Sequence, residues 1–203
     1  MFVDNYVKVL DNIIPPPFAD SIEHKLLSTK FPWYYVPHHV VKENDVRYNY
    51  FSSDNLVESP GLIHDFVEDG SINSEHHELF YNLLWFVERE MNFQLSKLYR
   101  IRGRMSLRHP GNEHTYTGPH IDYGMPENYY SMIYYVNNSD GDTVIFDKRY
   151  ECDIDGKSPP KILHRIKPKK GTFLLFDGKM YHSGNFPIKA DVRVVINYDF
   201  SIV

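Results

Sequence analysis

The second half of the chain is written in short apolar runs, and this limits the fold more than any other feature. Residues 129–136, 143–146, 162–166, 171–176 and 192–200 are rich in β-branched and aromatic side chains. Asn137-Asn138-Ser139-Asp140-Gly141, Pro159-Pro160 and Asp177-Gly178 separate several of them. Strands this short, punctuated by Gly, Asn and Pro, can pair by turning back on themselves, whereas parallel strands need a crossover of a dozen residues or so. The pattern predicts an antiparallel sandwich or barrel rather than a βαβ fold.

The first half holds the helices. Residues 3–14 alternate loosely and stop at Pro15-Pro16-Pro17, which reads as a strand, and 18–28 follows as a helix carrying Phe18, Ile22, Leu26 and Leu27 on one side. Residues 31–41 read as a strand with Trp33 and Tyr35 on one face and 47–51 as its partner, and 62–67 as a short helix before Gly70. The clearest helix is 74–91, where Leu79, Phe80, Leu83, Leu84, Val87 and Met91 form one apolar stripe. In 98–107, Tyr99, Ile101, Met105 and Leu107 alternate with Arg100, Arg102 and Arg104, a strand with one buried face, and these arginines with Arg108 read as a charged outer sheet face rather than a substrate-contacting row. The expected fold class is α+β: a double-stranded β-helix, or jelly roll, braced by helices mainly from the N-terminal half. With 203 residues and no repeat or linker, one domain is expected over 1–203. Residues 1–97 would supply helical support and outer strands, and 98–203 the jelly-roll core with a metal site.

A net charge of −5 argues against a nucleic-acid binder, which shows a basic face. The single Cys152 excludes an intramolecular disulfide and a multi-cysteine zinc site, which fits a reducing compartment. No apolar run is long enough to span a bilayer, and the first residues carry no leader pattern, so the expected location is cytoplasmic.

Chemistry concentrates at Pro119-His120-Ile121-Asp122-Tyr123. In an extended chain His120 and Asp122 lie on one face, one pleat apart, able to close on one cation. The best third ligand is His182, which follows the apolar strand 171–176, and Arg193 opens a strand about ten residues later. Two histidines and a carboxylate form the facial triad that holds Fe(II) and leaves positions open. A guanidinium never loses its charge and suits bidentate capture of an acid. The bland alternatives are a surface His–Asp pair, a strand-end histidine and an edge-strand arginine. The adjacent pairs His38-His39 and His76-His77 splay apart and do not chelate readily, and His114 reads as a solvated loop residue.

Five segments carry a family resemblance. Pro119-His120-Ile121-Asp122, Met132-Ile133-Tyr134-Tyr135-Val136-Asn137, Lys170-Gly171-Thr172-Phe173-Leu174-Leu175-Phe176-Asp177, Tyr181-His182-Ser183-Gly184 and Arg193-Val194-Val195-Ile196-Asn197-Tyr198 occur in the order seen in 2-oxoglutarate- and Fe(II)-dependent dioxygenases. The second half most resembles their prolyl 4-hydroxylase-like branch. The resemblance implies His120, Asp122 and His182 as iron ligands, Arg193 as partner of the distal carboxylate of 2-oxoglutarate, and Tyr135 as a hydrogen-bond donor to the same carboxylate. Tyr134 takes that role if the register slips by one. Fe(II), 2-oxoglutarate and O2 are the implied cofactors, with ascorbate as an optional reductant. The implied reaction hydroxylates a carbon of a peptidyl or free amino acid, prolyl first, or of a small metabolite, releasing succinate and CO2. Parity puts Arg193, Val195 and Asn197 on one face, which makes Asn197 a second candidate near the cosubstrate. His109 departs from the family's Tyr-Pro-Gly pattern, and Arg193 stands where collagen-type enzymes use Lys. Two rivals are a nucleic-acid-demethylating dioxygenase, which needs a basic aromatic groove, and a non-catalytic metal- or sugar-binding jelly roll.

Overall fold

Two long alternating segments, β5 (Leu95–Leu107) and β11 (Val192–Ile202), pair antiparallel at the centre of the larger sheet. The structure is a computed structural model and describes residues 7–37, 60–111, 113–122, 129–150 and 160–203. The remaining strands are β1 (Val7–Leu10), β2 (Tyr34–Val36), β3 (Gly61–Glu68), β4 (Ser71–Ile72), β6 (Tyr129–Tyr135), β7 (Thr143–Arg149), β8 (Ile162–Ile166), β9 (Phe173–Asp177) and β10 (Met180–Gly184). The two helices among the described residues are α1 (Pro16–Leu26) and α2 (His77–Met91). The larger sheet has eight strands in the order β1-β9-β6-β11-β5-β3-β2, with β4 on β3, and β10-β7-β8 form a second sheet of three. All the pairings are antiparallel.

Each face of the larger sheet has its own partner. The back carries Ile101, Met105, Met132, Tyr134, Phe173, Leu175, Val194, Ile196 and Tyr198, which pack with Ile22 and Leu26 of α1 and Phe80, Leu83, Leu84 and Val87 of α2. The Phe66 and Phe80 rings meet at 4.1 Å, and the Tyr198 hydroxyl donates to the Phe80 carbonyl at 3.1 Å. Burying each such aromatic contributes on the order of 2–3 kcal/mol. Lys170 reaches Asp20 and Glu23 at 2.7 and 2.8 Å, tying α1 to the start of β9. The front meets the smaller sheet: Ile133, Tyr135, Leu174, Phe176 and Val195 pack against Ile145 and Met180.

Both helices form where the apolar spacing placed them, with shifted ends. α1 starts at Pro16, whose fixed φ suits the first turn, and α2 ends at Asn92 in the left-handed region, φ 51°. Residues 62–67, expected to be helical, are instead most of β3: Leu62 pairs with Met105 and Asp65 with Arg102, so pairing with a long central strand overrides a short helical preference. Among the described residues of the expected 3–14 strand, Val7–Leu10 form β1, and the chain turns at Asn12 with φ 60°. Of the expected 31–41 strand, Tyr34–Val36 pair among the described residues 31–37, and Trp33 tucks inward instead, its Nε1–H on the Leu26 carbonyl at 2.9 Å. Residues 47–51, His38, His39 and Cys152 lie outside the described residues.

Candidate metal centre

The smaller sheet supplies the histidines. His182 lies on β10, and His120 forms an isolated antiparallel bridge with it: each residue's backbone N–H donates to the other's carbonyl at 2.9 Å. This reciprocal pair sets the two imidazoles side by side, ring centroids 4.6 Å apart. Asp122 follows in a bend rather than a strand, yet its carboxylate still turns toward both rings. One ligand atom from each of His120, Asp122 and His182 lies within 4.8 Å of the others. His182 Nε2 is 3.1 Å from Asp122 Oδ2 and His120 Nε2 is 3.9 Å from Asp122 Oδ1.

The ring orientations suit a cation. His120 Nδ1–H donates to the Gly118 carbonyl at 2.9 Å and His182 Nδ1–H to the Met180 carbonyl at 3.2 Å. Each bond leaves Nε2 as a lone pair facing the other ligands. Two lone pairs and a carboxylate then crowd one point with no proton among them, an arrangement that a divalent ion satisfies. Burial, reinforced by neighbouring His182, pushes His120 down to about 3, so it stays neutral over the physiological range.

A third arrangement lies behind Asp122. Arg100 Nη2 donates to Asp122 Oδ1 at 2.7 Å, while its Nε donates to Asp199 Oδ2 at 2.7 Å. Asp199 Oδ1 accepts in addition from Tyr129 and Ser131, each at 3.0 Å. Burial disfavours the charge on Asp122, but Arg100 and then His182 outweigh it and hold the carboxyl well below its ordinary range. Burial pushes Asp199 up to about 6 despite Arg100. The arginines of β5 therefore do not form an outer face: Arg193 pairs with Ser106, Asn197 with Arg102 and Asp199 with Arg100, so the row shares the cleft face of β11. Arg100 is buried and Arg102 and Arg104 are half-buried, because β5 is a central strand flanked by β11 and β3.

At the other end of the same cleft, Arg193 is 4% exposed. Its Nε donates to the Gly141 carbonyl at 2.7 Å and its Nη2 to Thr143 Oγ1 at 2.8 Å. A side chain at Gly141 would meet the Asn185 carbonyl at 2.5 Å and Arg193 Cδ at 2.9 Å, so only glycine lets the arginine pass. The Tyr135 hydroxyl also donates to Thr143 Oγ1, at 2.8 Å, and burial pushes it up to about 12. Tyr134 points to the back face against Phe173, so the register places Tyr135, not Tyr134, beside Arg193. His120, His182, Thr143, Arg193, Arg104 and Asn197 all line this cleft.

The five sequence candidates thus converge on one side of the larger sheet, and Asn197 joins them in the lining. His109 does not: it packs on Phe186, centroids 5.4 Å apart. His114 is exposed, as expected for a loop residue. Asp199, Thr143 and Asn185 were not singled out by sequence, and Arg100 was read as an outer-face charge. Extending the Arg193–Val195–Asn197 parity by one more step reaches Asp199, and pairing that face with β5 reaches Arg100.

The chain matches no protein-family model and no curated protein sequence. Solved structures do resemble it. A 2OG-Fe(II) oxygenase family oxidoreductase from Burkholderia pseudomallei aligns at TM-score 0.62 and 15% identity, over 96% of this chain and 84% of that one. A prolyl hydroxylase from Trichoplax adhaerens, in complex with a hypoxia inducible factor oxygen degradation domain peptide, aligns at 0.58 and 14%, over 98% and 84%. HygX from Streptomyces hygroscopicus, with nickel and 2-oxoglutarate bound, aligns at 0.57 and 10%, over 97% and 83%. The chain has the jelly-roll fold of the 2-oxoglutarate-Fe(II) oxygenases.

Proposed function

We propose that the protein is an Fe(II)- and 2-oxoglutarate-dependent dioxygenase that hydroxylates a carbon of an amino acid, peptidyl or free, or of a small metabolite. The observation that carries this reading is the convergence of the His120, Asp122 and His182 ligand atoms in the cleft that Arg193 closes. Nickel and 2-oxoglutarate in one neighbour of the same fold, and a peptide in another, support it.

In this reading His120 and His182 present Nε2 to the metal, and Asp122 is the anionic ligand. Bound there, Fe(II) supplies the O2 activation that couples decarboxylation of 2-oxoglutarate, giving succinate and CO2, to oxygen insertion into a substrate C–H bond. The chain's own part is to hold, orient and exclude water. Arg193 receives the distal carboxylate of 2-oxoglutarate in a buried, low-dielectric pocket where a charge-assisted pair is strong. Neutral oxygens hold its guanidinium in place, and it gains its anion only when cosubstrate arrives. Thr143 accepts from both Arg193 and Tyr135, so its hydroxyl proton is free to turn to the same carboxylate, and it holds the Tyr135 hydroxyl beside Arg193. Arg100 fixes the Asp122 carboxylate from behind.

The test is succinate release from 2-oxoglutarate by the Fe(II)-loaded protein in air, with and without candidate substrates. Turnover that vanishes in Arg193→Ala while Mn(II) still binds supports the assignment. A folded, reduced protein that binds neither Mn(II) nor 2-oxoglutarate overturns it.

A further inference from the structure

Three arginines of β5 face the cleft, and they are not equivalent. Arg100 is neutralised by Asp122 and Asp199, and Arg102 by Asp65 and Glu68. Arg104 has no carboxylate: among the described residues its guanidinium makes no hydrogen bond or ion pair, and its cross-strand neighbours are Ile63 and Val195. It is half-buried and lines the cleft with His120, Arg193 and Asn197. Register makes Arg193 and Asn197 its two diagonal neighbours on β11, about 7–8 Å away on the same face. A partly buried cation beside a second cation, with no hydrogen bond or ion pair of its own among the described residues, is costly to keep.

The dioxygenase reading leaves that cation unmatched. Asp122 and the chelating end of 2-oxoglutarate balance the metal, the distal carboxylate balances Arg193, and Asp199 balances Arg100. With 2-oxoglutarate on Arg193, Arg104 is the cleft-lining arginine still without a hydrogen-bonded or ion-paired carboxylate among the described residues. Beside it, Asn197 Oδ1 is buried in the lining without a hydrogen-bond partner. A buried acceptor of this kind calls for a donor.

The geometry points to a carboxylate site at Arg104: the substrate is a free amino acid, whose α-carboxylate Arg104 holds while Asn197 Oδ1 accepts from the adjacent α-ammonium. A guanidinium with no carboxylate of its own suits the α-carboxylate of a free amino acid, and an internal peptide residue offers none. This inference rests on the dioxygenase reading and narrows its substrate class.

The full chain loaded with Mn(II) and saturated with 2-oxoglutarate under argon is titrated with the common free amino acids and with their α-amides. At least one acid is expected to bind about tenfold or more tighter than its amide. Arg104→Gln should erase that preference and change the 2-oxoglutarate Kd by less than about threefold, and Arg104→Lys should restore part of it. Acids and amides binding alike, or no acid binding at all, overturns the proposal. So does an Arg104→Gln loss of 2-oxoglutarate affinity equal to that of Arg193→Ala, which would put Arg104 in the cosubstrate site. Failure of the wild type to bind 2-oxoglutarate, seen before any amino acid is added, instead sinks the dioxygenase reading and this one with it.

Discussion

On β11, neighbouring residues belong to different parts of the molecule. Val194, Ile196, Tyr198 and Phe200 face the helices and are fully buried, while Arg193, Asn197 and Asp199 face the cleft and are at most 9% exposed. Burial alone does not separate core from site here. The back face is settled by apolar packing within the chain, whereas on the front each polar group is matched by a specific partner or left waiting for one. Replacements on one face should therefore move stability, and those on the other should move ligand binding.

The largest expected effect is on the back. Phe80→Ala empties a fully buried site between Phe66 and the sheet and should cost about 3–5 kcal/mol of stability, read by denaturant unfolding. Metal affinity of the molecules still folded should not change. If it falls in step with stability, the two faces are not independent. Next comes Arg193→Ala, which should weaken 2-oxoglutarate binding about a hundredfold or more by calorimetry and leave Mn(II) affinity nearly intact.

Arg100→Gln tests the comparison at its weakest point, because Arg100 bonds a structural carboxylate and a ligand carboxylate at once. Losing an outer partner of a metal ligand should lower Mn(II) affinity about 10–100-fold. Asp199 should then take up a proton, having its pKa pushed up already to about 6, which limits the loss of stability. A variant that melts far below wild type but binds Mn(II) equally well would make Arg100 a core residue.

The smallest effect is in the pH dependence of the metal-free protein. His120 has an ordinary pKa of 6.5 when unfolded and about 3 when folded, so between those values the unfolded chain holds the extra proton. Stability contributed at this position is thus intact above pH 6.5 and falls as the pH is lowered. From pH 7 to 5 the wild type should lose roughly 2 kcal/mol more than His120→Gln. Equal slopes for the two proteins would place His120 in a more solvated position.

The jelly roll was legible from the second half because its strands are short and sharply bounded. Period-two alternation in 98–107 and 192–200 gave both the strands and the faces, and the order of His120, Asp122, His182 and Arg193 gave the site. What sequence concealed depended on position in the sheet. The β3 segment carries no clean alternation, with Phe66 and Val67 both fully buried at a register shift, so its local pattern does not report a strand. The arginines of β5 read as an outer face because charge usually marks solvent. The pairings of Arg100 with Asp199 and of Arg102 with Asp65 reveal that the acids which neutralise these two come from elsewhere in the chain. The difference between Arg104 and its two neighbours was equally invisible, since it consists of a missing partner.

The reciprocal backbone bridge between His120 and His182 has a consequence for which ions the centre can accept. Folding, not coordination, sets the bite between the two imidazoles, so an incoming ion finds its donors already spaced and little chain entropy is lost on capture. Ions of similar radius should then settle into nearly the same frame, and discrimination among them falls to the coordination positions that the chain does not fill.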